Sequence, residues 1–240
     1  NISIKDSKAT AVYLEQAYWV DEGSLISENV YKLSPGAILF NRALASLTGT
    51  TFNKNSGAGV GGVLTLTIES KLACTNCTLT NNEASGQGGV ISSEKYSSFS
   101  FINSSLKFNK SKQASIFFGI YTYNNSFKNC TIEENFSSST SLMVLITSQL
   151  ELSTSRIARN SAYTNPFISL SGSTLVIDNS LFTEQVASQT PFLLIQSESS
   201  CAVSNSNFTH GVGTLLSGAV WVSGGSLSLS NCSFFNISSQ

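Results

Sequence analysis

Hydrophobic positions along this chain recur with a period of about 26 residues. Stretches such as Leu72-Ala-Cys-Thr-Asn-Cys-Thr-Leu79, Phe127-Lys-Asn-Cys-Thr-Ile132 and Leu227-Ser-Leu-Ser-Asn-Cys-Ser-Phe234 read alike. The last apolar residue of each repeat serves as an anchor. The anchors are Ile26, Phe52, Leu79, Leu106, Ile132, Ile157, Phe182, Phe208 and Phe234, spaced 26, 27, 27, 26, 25, 25, 26 and 26 residues apart. A fixed period of this length marks a repeat architecture. A second apolar run begins about 10 to 12 residues after each anchor, as in Gly62-Val-Leu, Gly89-Val-Ile, Ile116-Phe-Phe and Leu142-Met-Val. Each repeat therefore holds two or three short strands separated by Ser, Gly and Asn corners. No segment is long and periodic enough for a helix.

Two asparagine columns run in the same frame. Three residues after the anchor stand Asn29, Asn55, Asn82, Asn109, Asn135 and Asn160, with Gln185 in the next place. Three residues before it stand Asn76, Asn103, Asn129, Asn179, Asn205 and Asn231, each followed by a small residue such as Cys77, Ser104, Cys130, Ser180 or Cys232. In Leu227-x-Leu229-x-Asn231-Cys232-x-Phe234 the alternation slips by one residue at Asn231. Asn tolerates left-handed backbone, so the slip predicts a corner. Coils stacked about 4.8 Å apart would set equal positions over one another, and both columns are expected to form inward amide ladders. The fold class expected is all-β, a right-handed parallel β-helix solenoid of about nine coils of 25 to 27 residues. Leucine-rich repeats place the Asn one residue later and supply only one strand per repeat. Left-handed hexapeptide helices need a multiple of six. Neither fits.

One domain is expected over residues 1–240. Residues 1–25 form a partial first coil, residues 26–240 regular coils, and no C-terminal cap follows. Open strand edges of this kind invite end-to-end self-association into a fibre. Beginning at Asn1 without a signal-peptide pattern, the sequence reads as a mature chain, a fragment, or one unit of something longer.

The phrases Phe52-Asn-Lys-Asn55, Leu79-Thr-Asn-Asn82 and Ile132-Glu-Glu-Asn135 alternate with Gly61-Gly-Val-Leu64 and Gly88-Gly-Val-Ile91. They resemble the FxxN and GG[AVI][IL] repeats of chlamydial polymorphic outer membrane proteins. The Asn-Cys-Thr repeats are similar to those of large surface proteins of ciliates and other protists. The resemblance extends from about Ile26 onward. It implies a pectin-lyase-like β-helix on a cell surface or in secreted material, with adhesion or scaffolding as its role.

Charged residues make up only 11% of the chain and the net charge is −1, against about 25% charged in an ordinary soluble domain. Ser, Thr and Asn carry the hydration instead, which suits an extracellular or cell-surface protein. There is no basic cluster for nucleic acid, and the longest apolar run, Leu142 to Ile146, is too short for a membrane span. Hydrolysis of a polysaccharide would need two facing carboxylates. The three aspartates, Asp6, Asp21 and Asp178, lie far apart in coil number. Glu134 with Arg156 or Arg159 of the next coil makes a conceivable site, but a solvated ion pair is the plainer reading. His210, the only histidine, falls in an exposed loop. No catalytic residue, metal or cofactor is expected.

Cys77, Cys130 and Cys232 read as buried free thiols, with a Cys74–Cys77 bridge as the alternative. Tyr121, Tyr123 and Phe127 read as packing, or as an aromatic patch for glycan ligands. Sequons for N-linked glycans occur at Asn1, Asn76, Asn103, Asn109, Asn124, Asn129, Asn135, Asn207, Asn231 and Asn236. Asn124, Asn207 and Asn236 fall at outward positions and rank first, with Asn109 and Asn135 next. Asn76, Asn103, Asn129 and Asn231 are set aside as ladder residues. The function expected is that of a structural glycoprotein, a unit of an extracellular filament or surface scaffold. A glycan- or receptor-binding adhesin is the alternative, and a polysaccharide lyase or hydrolase the second.

Overall fold

A computed structural model describes residues 2–8, 10–31, 36–213 and 218–239. Every regular element in it is a strand. The strands fall into four parallel sheets, one of ten strands and three of nine. One turn shows the plan. Ile91–Glu94, Ser98–Ile102, Ser105–Lys107 and Lys110–Gln113 lie in four different sheets, and the chain then returns at Phe117–Ile120 to pair with Ile91–Glu94 in register. We label these sheets B, C, A and D in that order. The chain is a parallel β-solenoid of about nine turns, and parallel returns of this kind wind right-handed.

The anchors form the inner column of sheet A. Ile26 pairs Phe52, Phe52 pairs Leu79, and so on without a slip to Phe208 and Phe234. From Ile26 to Phe208 they are fully buried. The rings of Phe208 and Phe234 lie 4.8 Å apart at 8°, which is one strand spacing. Sheet B supplies Leu64, Ile91, Phe117, Met143 and Ile168 to the same core, and sheet C supplies Leu72, Phe99, Leu150 and Leu175. Strands buried on one face by alternate residues explain the period-2 pattern in the sequence.

One feature was not in the pattern. Sheet D, built of pieces as short as Ser56–Gly57 and Ser161–Ala162, gives each coil a fourth side. Before the first counted anchor, Ser3–Lys5 pairs with Leu25–Ser27 and sets Ile4 under Ile26.

Corners are made by single residues in left-handed backbone, which recur with the coil. Between sheets C and A stand Asn76, Asn103, Asn129, Asn179, Asn205 and Asn231, all with φ between 47° and 55°. Between sheets A and D stand Glu28, Lys54, Asn81, Phe108, Glu134, Arg159, Glu184, His210 and Asn236.

The second of these corners is held from inside by the asparagine after it. Asn29, Asn55, Asn82, Asn109, Asn135 and Asn160 are buried. From Asn29 to Asn135 each Nδ2 donates to the Oδ1 of the next coil, at 2.8, 3.0, 3.0, 3.0 and 2.9 Å along the series. The other hydrogen of the amide goes back to an anchor carbonyl, as from Asn109 to Leu79 at 3.0 Å. This inner ladder is as expected. The other column is not. Asn76, Asn103, Asn129, Asn179, Asn205 and Asn231 face solvent, because the left-handed corner turns the asparagine outward and the following small residue inward. Only loose outer contacts join them, such as Asn129 Nδ2 to Asn103 Oδ1 at 2.7 Å and Asn231 Nδ2 to Asn205 Oδ1 at 2.9 Å. The inward ladder at that corner is made by hydroxyls: Cys77 N–H donates to Ser104 Oγ, Cys130 N–H to Ser155, and Ser155 N–H to Ser180.

Candidate binding faces

The charged cluster expected around Glu134 centres on its neighbour instead. Glu133 sits one place after the anchor Ile132 and is only 6% exposed. Lys107 of the preceding coil reaches its carboxylate at 3.1 Å, and Arg156 and Arg159 of the following coil at 2.8 and 3.3 Å. Glu134, at the left-handed corner, points out and takes only Arg159, at 3.0 Å. Arg159 thus bridges the two carboxylates across the corner. Burial would raise the Glu133 carboxyl, but the three cations outweigh it and hold it below the usual carboxylate range. A carboxylate fixed in its charged form by salt bridges is a poor proton donor. Arg156 belongs to Glu133, which corrects its assignment to a Glu134 site.

His210 is exposed, with its ring 6.1 Å from that of Phe235. Among the described residues no group of three or more His, Cys, Asp or Glu is placed to hold a metal ion. Cys74 and Cys77 are joined in a disulfide across the corner at Asn76, so Cys77 is not the free thiol expected. Cys130 and Cys201 are free and buried, and burial pushes their thiols up to about 11 and about 12.

The outer surface of sheet D carries a trough. Its short strands leave the face shallow, and two grooves of about 400 and 530 Å³ meet at Phe136. The first is lined by Glu83, Lys110, Lys112, Ser138 and Ser139. The second is lined by Tyr163, Thr164, Val186 and Ser188. Tyr163 is 70% exposed and Phe136 38%. Aromatic faces flanked by hydroxyls and mixed charges make up the chemistry that binds a sugar ring, apolar on one face and hydrogen-bonding at its edge. This trough was invisible in the sequence because sheet D itself was.

The expected aromatic patch divides. Phe127 is core. Tyr121 is exposed at a left-handed corner, and Tyr123 stacks on Tyr96 with ring centroids 6.0 Å apart at 14°. A groove of about 370 Å³ starts beside it at Asn124 and continues over Ser126, Gln149, Glu151 and Thr174.

The asparagines expected to carry glycans separate by exposure. Asn124, Asn207 and Asn236 face solvent. Asn109 and Asn135 are buried, with both amide hydrogens committed inside the ladder, so a sugar has no room there and both leave the set. Asn1 lies outside the described residues.

No protein-family model matches the sequence, and no match is found among curated proteins. Among solved structures, similarity is found to a tailspike protein of the E. coli bacteriophage HK620 in complex with a pentasaccharide. The TM-score is 0.33 with 10% identity, over 88% of this chain and 47% of the tailspike. The chain thus spans about half the length of that protein. It is also similar to PfbA, a surface adhesin of Streptococcus pneumoniae, with a TM-score of 0.33 and 10% identity over 99% of this chain and 77% of the adhesin. HetL, a pentapeptide repeat protein of the cyanobacterium Nostoc, gives a TM-score of 0.26 at 12% identity, over 95% of this chain and 87% of HetL.

Proposed function

We propose that this chain is part of an extracellular structural glycoprotein, a rigid rod in a surface scaffold or filament, and that it is not an enzyme. One observation carries the reading: the described coils share a four-sided cross-section, fixed from within by hydroxyl ladders and, from Asn29 to Asn160, by the asparagine ladder. Coils of one cross-section stack on each other whichever chain supplies them, a heterologous contact that propagates. The charge-poor, Ser- and Asn-rich exterior supports an extracellular setting, with glycans at Asn124, Asn207 and Asn236. No helix among the described residues is long and apolar enough to cross a membrane. The salt-bridged Glu133, held charged by Lys107, Arg156 and Arg159, supports the absence of catalysis.

Electron microscopy tests the scaffold. Filaments in which the strand spacing of about 4.8 Å runs along the axis without interruption are expected. Single short rods at every concentration would remove the filament.

A second reading, an adhesin that binds glycans, is favoured by the trough on sheet D. Saturable binding of a neutral oligosaccharide, lost in both Tyr163→Ala and Phe136→Ala while the fold is kept, would establish it. Depolymerisation of a polyuronide, abolished by Glu134→Gln, would overturn the non-enzymatic assignment.

A further inference from the structure

The sequon Asn-x-Ser/Thr recurs from coil to coil at two phases, beside single occurrences at Asn1, Asn124, Asn207 and Asn236. At the corner between sheets C and A, Asn76-Cys77-Thr78 runs exposed, buried, half-buried. Asn103-Ser104-Ser105 and Asn129-Cys130-Thr131 repeat that order one and two coils on. In Asn231-Cys232-Ser233 the asparagine and serine are exposed and the cysteine is half-buried. The asparagine and the hydroxyl residue share the outer face, and the middle residue turns in.

After the next corner the order inverts. In Asn109-Lys110-Ser111 and Asn135-Phe136-Ser137 the asparagine and serine are buried and the middle residue is exposed. The transferase that glycosylates a sequon must hold the amide and the hydroxyl together. The outer-corner tripeptides offer both on one accessible face, at a left-handed turn that projects the amide from the surface.

We propose that N-linked glycans attach at Asn76, Asn103, Asn129 and Asn231, a column along one edge of the solenoid, and that Asn109 and Asn135 stay bare. This rests on the extracellular glycoprotein reading above. In the step itself, the side-chain nitrogen attacks the anomeric carbon of a lipid-pyrophosphate-linked oligosaccharide. The new bond is C–N, the anomeric C–O bond to phosphate breaks, the polyprenyl pyrophosphate leaves, and one amide proton passes to a base of the transferase. No oxidant or reductant is needed. The remaining N–H and the Oδ1 stay available for the outer contacts, such as that between Asn129 and Asn103.

Two substitutions isolate phase from sequence. Leu181→Thr completes a sequon at Asn179, which is exposed at the outer corner with φ 47°. Its side chain replaces a half-buried residue in the column of Thr78, Ser105 and Thr131. Ala162→Ser completes one at Asn160, inside the ladder, in the column where Ser111 and Ser137 already stand.

The chain is secreted from a eukaryotic cell. Folded product is purified and treated with peptide-N-glycosidase in heavy-oxygen water, and the asparagines converted to aspartate are mapped by mass spectrometry. Conversion is expected at the outer-corner asparagines and not at Asn109 or Asn135. Leu181→Thr is expected to gain one glycan and Ala162→Ser none. A bare outer corner alongside occupied Asn207 and Asn236, or a Leu181→Thr chain with no added glycan, would overturn the column. Glycan on Asn109, Asn135 or Asn160 in folded chain would do the same. If every sequon, Asn207 and Asn236 included, is bare in secreted folded chain, the glycoprotein reading falls with it.

Discussion

Asn135 uses its whole side chain. Its Nδ2 donates to Asn160 Oδ1 and Leu106 O, while its Oδ1 accepts from both the backbone and the amide of Asn109. Buried polar groups are tolerated when satisfied to this degree. Removing one rung leaves its neighbours unpaired, so Asn109→Leu is expected to cost about 3 kcal/mol in chemical denaturation. The ladder fails at Gln185. Its longer side chain sends Nε2 to Ile157 O and Thr183 O, but Oε1 is buried with no hydrogen-bond partner among the described residues. Gln185→Asn is expected to extend the ladder and raise stability by about 1 kcal/mol, seen as a higher denaturant midpoint at unchanged slope.

Glu133 gives a pH signature. Its carboxyl is depressed in the folded state, so its contribution is complete above the unfolded value of about 4.3. It fades as pH falls through the lower folded value. Glu133→Gln is therefore expected to lose about 1–3 kcal/mol at pH 7 and to converge with the native chain in acid. A gap that stays constant from pH 7 to pH 3 would show that the charge is not what the cluster stabilises.

At the scale of the element, the glycine pairs that connect sheet D to sheet B mark where two coils come close. A Cβ on Gly89 would stand 2.6 Å from Ser115 O and 2.9 Å from Lys110 O, both backbone atoms. Gly89→Ala is expected to destabilise by about 1–3 kcal/mol, readable as a fall in thermal midpoint. The thiols test burial in the same elements. Iodoacetamide at pH 8 is expected to leave Cys130 and Cys201 untouched in the folded chain and to modify both on unfolding, because neither forms appreciable thiolate while folded.

Sheet A was legible because its anchors must lie in one column, and Ile26 to Phe234 does so residue for residue. Sheet D was not, since a two-residue strand such as Ser161–Ala162 has no periodicity to detect. The corners were half legible. Asn231 marks the bend and the alternation sets Cys232 inward, but the pattern did not reveal that Asn231 itself turns outward, and the glycan candidates were ranked accordingly. Of the charged site, Glu134 and Arg159 were found by coil phase. Glu133 and Lys107 were missed because their meeting depends on which face of sheet A the residue after the anchor takes.

For the whole molecule, nearly every ladder contact joins residues one coil apart, so each coil is supported chiefly by its two neighbours. Stability in such a stack is close to a sum of nearest-neighbour terms. Excising residues 107–132 joins Leu106 to Glu133 and brings Asn82 under Asn135 in the same register. The shortened chain is expected to keep a parallel-β circular dichroism spectrum and to unfold cooperatively. Excising half that length would set anchors against corners and is expected to yield aggregate.

Because the anchor column keeps one register from Ile26 to Phe234, a gene for this fold can grow or shrink by unequal crossing-over between its own repeats. A duplication of one full period adds a storey, while a single inserted codon in a strand is a dislocation. The stack then changes length by whole coils without redesign of any surface.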